Sequence, residues 1–125
     1  MYGKSEIASG KTGNQFADAT AKQTDAIWQG DAKTGNRQAK RLLAAFDKLR
    51  SIGNSGRDAL VPLLSHQRPD VRVRAAAFLL RHRTAEAMAV LTEIAKGRSL
   101  TAFGAQQALE RWKEGTWKLD PPDEQ

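Results

Sequence analysis

Cysteine is absent from the 125-residue chain, which removes disulfides, thiolate chemistry and cysteine-ligated metals together. A chain built without disulfides fits a reducing compartment, so a cytoplasmic location is the expectation. Aromatic residues make up only 6% and prolines number four. No uninterrupted apolar run approaches the roughly 18–20 residues that a membrane span needs, so no membrane partner is expected. No apolar segment follows Lys4, so no signal peptide is expected either. Patterns that carry catalysis are missing as well. There is no His–Glu pair at metalloprotease spacing, no glycine-rich phosphate loop behind a strand and no nucleophile elbow. The only histidines, His66 and His82, fall near expected helix ends, where a cationic or capping role is ordinary. The expectation is a protein that is not an enzyme, with no catalytic residues, no metal and no cofactor.

What is present is a helical pattern. Hydrophobic residues make up 40% of the chain and charged residues 27%, values of a folded domain. The run from Arg68 to Arg83 organises the rest. Pro69 and Asp70 supply a helix start, and from Val71 to Leu80 only Arg72 and Arg74 interrupt apolar residues. At about 100° per residue, apolar side chains then reach nearly all the way round, so other helices must flank this one.

The remaining chain divides around it. Residues 1–13 read as a frayed or extended leader. A first helix is expected from Asn14 to Gln29, with Phe16, Ala19, Gln23, Ala26 and Ile27 at helical spacing and Trp28 close by, Gly30 ending it and Asp31 capping the next. The second spans Ala32 to Ile52 on a stripe of Leu42, Phe46, Leu49 and Ile52. Gly53 to Gly56 reads as a turn. A short third helix covers Arg57 to Ser65, with Pro62 awkwardly far inside it. The fifth runs from Ala85 to Lys96 behind a Thr84 cap. The sixth runs from Leu100 to Glu114 behind Ser99, lined by Leu100, Phe103, Ala108, Leu109 and Trp112. Gly115 stops it, and residues 116–125 form an acidic tail that is either disordered or packed, Trp117 and Leu119 covering the last helix in the second case. No stretch alternates with period two, so no strands are expected.

Segments 56–83 and 84–115 repeat each other: Leu60 matches Met88, Leu63 matches Leu91, Val71 matches Leu100, Ala75 matches Gly104, Ala76 matches Ala105 and Leu80 matches Leu109. A period near 29 residues of helix pairs marks an α-solenoid, with helices one and two as an atypical terminal unit. The expectation is an all-α fold, a short α-solenoid of about six helices in three antiparallel pairs spanning 14–115. Pro69, Asp70, Val71 and Arg72, followed by Ala75 to Ala77 and leucines, resemble the second helix of a HEAT repeat. Beyond that element, Gly30-Asp31, Asn36-Arg37, Gly56-Arg57, Phe103 to Ala105, Trp112 and Gly115 resemble a family of short bacterial proteins grouped as a domain of unknown function. That resemblance implies a HEAT/armadillo-like fold and no activity. In HEAT repeats the Asp and Arg form ladders between repeats; here Ser99 and Thr101 stand where the next rung belongs, so the ladder stops.

Function must then be read from charge. Net charge is +6, and it is uneven: +4 over 31–55, +4 over 56–83 and −2 over 99–125. Arg74 and Arg81 share one helical stripe, which faces solvent and joins Arg68 and Arg83 in a basic surface. Lys33, Arg37, Lys40 and Arg41 cluster on one side of the second helix. These seven residues, Arg68, Arg74, Arg81, Lys33, Arg37, Lys40 and Arg41, are the candidate partner contacts. Asp70, Arg72 and Trp112 read as structural, with Arg72 packed along its stem and bound to a carboxylate or helix-end carbonyls. Asp31, Asn36 and Arg37 are a polar cluster that capping accounts for. A basic face on a helical-repeat scaffold suits another protein, an acidic one, in an adaptor or toxin-neutralising role. Nucleic acid is the alternative; against it stands the lack of aromatics among the basic residues, the three tryptophans and Phe46 being read as core or end-packing.

Overall fold

A computed structural model describes residues 4–120, with side chains from Ser9 onward. The fold is all-α, and the described residues hold no strand. Helices α1 (Lys4–Trp28), α2 (Ala32–Ile52) and α3 (Asn54–Arg57) lead into a 3-10 segment (Asp58–Ser65), followed by α4 (Pro69–Leu79), α5 (Thr84–Ala95) and α6 (Leu100–Glu114). The chain divides after Leu63 into two compact units.

In the first unit α2 folds back along α1. Asp18 of α1 meets Arg41 of α2 at 2.6 Å, and Ala26 and Ile27 face Gly35 near the start of α2. The hinge is local chemistry. Gly30 takes a positive φ of 72°, and the Asp31 carboxylate accepts from the Thr34 backbone N–H at 3.0 Å, satisfying one of the orphan donors of α2. Phe16, Ala19, Ala26, Leu42, Ala45, Phe46 and Leu49 are buried, joined by Leu60 and Leu63 of the 3-10 segment. Each fully buried Leu or Phe contributes about 1.5–3 kcal/mol relative to an exposed one.

Three expectations change in this unit. The expected leader is helical from Lys4, and Ser9, Thr12 and Gly13 are buried, because Gly13 packs against the Ala59 carbonyl; residues 1–3 lie outside the described set. The 53–56 turn shrinks to a single pivot, Gly53 at φ 103°, with α3 beginning at once. The third helix is not a plain α-helix: the residues around Pro62 wind as a 3-10 segment, since proline has no N–H to donate and its ring clashes with an α-helical carbonyl four residues back.

In the second unit α4 is the core helix. Val71, Ala75 to Phe78, Leu79 and the following Leu80 are all buried, as its apolar circumference demands. Both α5 and α6 pack on it and on each other. Ser99 caps α6 by accepting from the Ala102 N–H at 3.0 Å, and Gly115 closes it in the left-handed region. Thr84 opens α5 rather than capping it; its hydroxyl donates instead to the Leu80 carbonyl at 2.6 Å. The repeat is only half expressed in burial. Leu63 and Leu91, and Ala76 and Ala105, are buried in both copies, but Met88 and Leu100 are exposed where Leu60 and Val71 are covered. Phe103 is exposed too, so two of the apolar residues expected to line α6 lie outside the core.

Candidate binding surface

The seven candidate cations fall into two groups, one on each unit. In the second unit the arginines are spent on the fold. Arg68 holds Asp70 with two bonds, Nε to Oδ1 at 3.0 Å and a terminal nitrogen to Oδ2 at 3.1 Å, a bidentate fork that fixes the entry to α4. Arg72 donates to the His66 carbonyl at 2.7 Å and the Gln67 carbonyl at 3.4 Å, tying the connector to the helix it precedes. His66 also serves that connector, its Nδ1 accepting from the Arg68 backbone N–H at 3.0 Å.

Of the stripe that the helical wheel turns to solvent, Arg81 is exposed as expected and Arg74 is not. Arg74 is half-buried, and burial pulls its guanidinium below the ordinary arginine range, opposed by the charge of Asp70. Arg81 donates from Nε to the Asp120 carbonyl and lies over the Trp117 ring, 5.5 Å from its centroid. Trp117 is buried and meets Trp112 of α6 edge-to-face at 5.7 Å. Trp112 thus anchors the segment after α6, and Arg81 clamps it. The 116–120 stretch is therefore packed, with Asp120 fully buried, whereas Leu119 remains exposed; residues 121–125 of the expected acidic tail lie outside the described set. Arg83 pairs with Glu86 at 3.4 Å.

In the first unit the picture reverses. Arg41 is committed to Asp18 at 2.6 Å and to Gln38 at 3.2 Å. Those bonds, from Arg41 first and Lys22 second, hold the Asp18 carboxyl below the usual range. Lys33, Arg37 and Lys40 are all exposed, and none of the three is engaged in an ion pair among the described residues. Their spacing of four and three places them in one row along α2, on the side away from buried Gly35, Leu42 and Phe46. No Asp or Glu occurs between residues 32 and 46. Asp31 at the head of the row is engaged with Thr34, which, with a smaller contribution from Arg37, keeps its carboxyl below the ordinary value.

The expectation that missed most was Trp28. Expected as a core or end-packing residue, it is 69% exposed, and Ile27, expected on the helical stripe, is 60% exposed. Both stand at the end of α1, the same end of the hairpin at which the basic row begins.

Among the described residues no group of three or more His, Asp or Glu is placed to hold a metal ion, and no helix is long and apolar enough to cross a membrane.

Fold and surface together define a small all-α domain with an exposed basic row on α2. Residues 13–112 match the family model described as Domain of unknown function (DUF2019), and the chain belongs to that family. It is also similar to a solved structure, the crystal structure of the protein RPA1889 from Rhodopseudomonas palustris CGA009. That similarity has a TM-score of 0.81 at 26% identity, and covers 91% of this chain and 93% of the other. No curated protein matches the chain.

Proposed function

We propose that the chain is a non-enzymatic protein-binding module of adaptor or toxin-neutralising type, built on a HEAT/armadillo-like scaffold and working in the cytoplasm. Its partner is an acidic protein received on the outer face of α2. The observation that carries this reading is the row of Lys33, Arg37 and Lys40, exposed and unspent, in a molecule whose other candidate arginines are consumed by structure. A row of like charges, with Asp31 near its head as a weak counter-charge to Arg37, attracts and orients an acidic surface. The scaffold reading rests on the order of short, closely connected helices and on the HEAT-like element at Asp70 to Arg72.

A second reading has one observation behind it. An exposed Trp28 at the end of the hairpin where the basic row begins is also what a single-stranded nucleic acid would use, with a base stacked on the indole and phosphates along the cations. Three cations are few for that purpose, and no base-reading motif accompanies them. Salt separates the two. Nuclease-treated co-purification at near-physiological ionic strength that retains one stoichiometric protein, and loses it with Lys33→Glu, Arg37→Glu and Lys40→Glu combined, supports the module. Recovery of nuclease-sensitive material alone, with steep salt dependence, supports nucleic acid.

A further inference from the structure

We infer that the basic row on α2 receives the outer face of α6 from a second copy of this chain, the two helices lying antiparallel. This rests on the reading of the row as a docking surface and names an occupant for it. The outer face of α6 is one stripe at steps of three and four: Leu100, Phe103, Gln107, Glu110 and Glu114, on the side away from buried Ala102 and Ala105. Leu100 and Phe103 are 63% and 56% exposed. Glu110 and Glu114 are exposed as well, and neither enters an ion pair among the described residues. Leu100 occupies in its repeat the place that Val71 holds one helix pair earlier, where the side chain is fully covered. That position suits a neighbouring helix, and α6 is the last helix among the described residues.

The two faces match when one is reversed. Along α2 the outer positions run Lys33, Arg37, Lys40, Ala44 and Asp47, all exposed, with exposed Leu43 beside Ala44. Read from its C-terminal end, α6 presents Glu114, Glu110, Gln107, Phe103 and Leu100 at the same steps of four, three, four and three. Each stripe covers about 21 Å of helix at 1.5 Å per residue. An antiparallel pairing sets Glu114 by Lys33, Glu110 by Arg37 and the Gln107 amide by Lys40. It also sets Phe103 against Ala44 and Leu43, so opposite charges meet at one end and apolar groups at the other. A parallel pairing would instead bring Leu100 and Phe103 onto Lys33 and Arg37. Two residues run against the pattern: Asp47 falls at the apolar end, and Arg111 borders the acidic one. Lys48 follows Asp47, and its stem can lie along Leu100; Arg111 leaves the acidic end two carboxylates to one cation. Exposed ion pairs hold little individually, so the charges set the orientation and the apolar end supplies retention.

Copies that each carry a net +6 repel at a distance, so the association is weak. It is measured by sedimentation velocity of the full chain at concentrations up to about 1 mM. The native chain is expected to gain mass as concentration rises. One variant carries Lys33→Glu with Arg37→Glu, another Glu110→Lys with Glu114→Lys, and each is expected to weaken association by at least about tenfold. Thermal unfolding confirms that both variants stay folded. Because each reversed face complements the other, an equimolar mixture of the two is expected to associate as the native chain does. Phe103→Ala is expected to weaken association by about tenfold. A native chain that stays monomeric, variants that associate undiminished, or a mixture no tighter than either variant alone overturns the inference. If a monomeric chain still retains an acidic cellular protein through Lys33, Arg37 and Lys40, the binding module stands and only the second copy is wrong.

Discussion

The Nε of Arg81, at the end of α4, donates to the backbone carbonyl of Asp120, thirty-nine residues further along. One arginine thereby joins the central helix of the second unit to the segment that follows its last helix, with Trp117 beneath the guanidinium. Arg81→Ala removes a charge-assisted hydrogen bond and a cation–π contact, for a loss of about 2 kcal/mol in urea unfolding. Amide exchange in 116–120 is expected to accelerate before the rest of the unit. Unchanged protection there would show that Trp117 and Trp112 hold the segment without the clamp.

Two glycines make opposite predictions. A Cβ at Gly56 would overlap the Leu49 carbonyl oxygen, where backbone on both sides has no room to give. Gly56→Ala should cost about 1–3 kcal/mol. At Gly104, within α6, nothing lies within 4 Å of a Cβ, and Gly104→Ala should stabilise by up to about 1 kcal/mol through helix propensity. Thermal unfolding of the two variants reads the sign directly.

Acid weakens the first unit through Asp18. Its carboxyl is held below the ordinary value by Arg41 and then Lys22, so the stabilisation is complete above the unfolded-state pKa near 3.9 and is lost as pH falls through the lower folded-state value. The pair is solvent-exposed, which keeps the effect to a fraction of a kcal/mol. Asp18→Asn should flatten the stability–pH curve below about pH 4 and leave it unchanged near neutrality apart from a small uniform offset. An undiminished acid slope in that variant would assign the effect to other carboxylates.

Trp28 should be nearly silent in stability. With most of its surface in water already, Trp28→Ala is expected to change unfolding free energy within about 0.5 kcal/mol. A loss of several times that would mean the indole is a packing residue, and the hairpin end would no longer stand as a binding surface.

Much of this was legible in the residues because the signals were local. Proline and aspartate at 69–70 start α4, glycine at 115 stops α6, and the span of α2 follows from the stripe of Leu42, Phe46, Leu49 and Ile52, of which the first three are buried and Ile52 is exposed. Where helices meet was less readable. Period alone placed Ile27, Leu100 and Phe103 on core stripes, although all three are exposed, since it registers which side of a helix is apolar and not where the neighbouring helix ends. The helical wheel put Arg81 in solvent, where it is exposed, but its bond to the Asp120 carbonyl was not readable, because that partner is remote in sequence and a backbone group that no side-chain pattern reveals. The row on α2 was visible as charge. Its distinction from Arg68 and Arg41, whose carboxylates lie two residues on and twenty-three back, needed the fold.

The most direct test of the account compares the native chain with the chain carrying Lys33→Glu, Arg37→Glu and Lys40→Glu in nuclease-treated co-purification from the native cell. The account predicts one stoichiometric protein, acidic on the surface it presents, held by the native chain and absent with the reversed row, while both chains unfold at similar temperatures. Retention of the same protein by the reversed chain would contradict it and move the interface off α2.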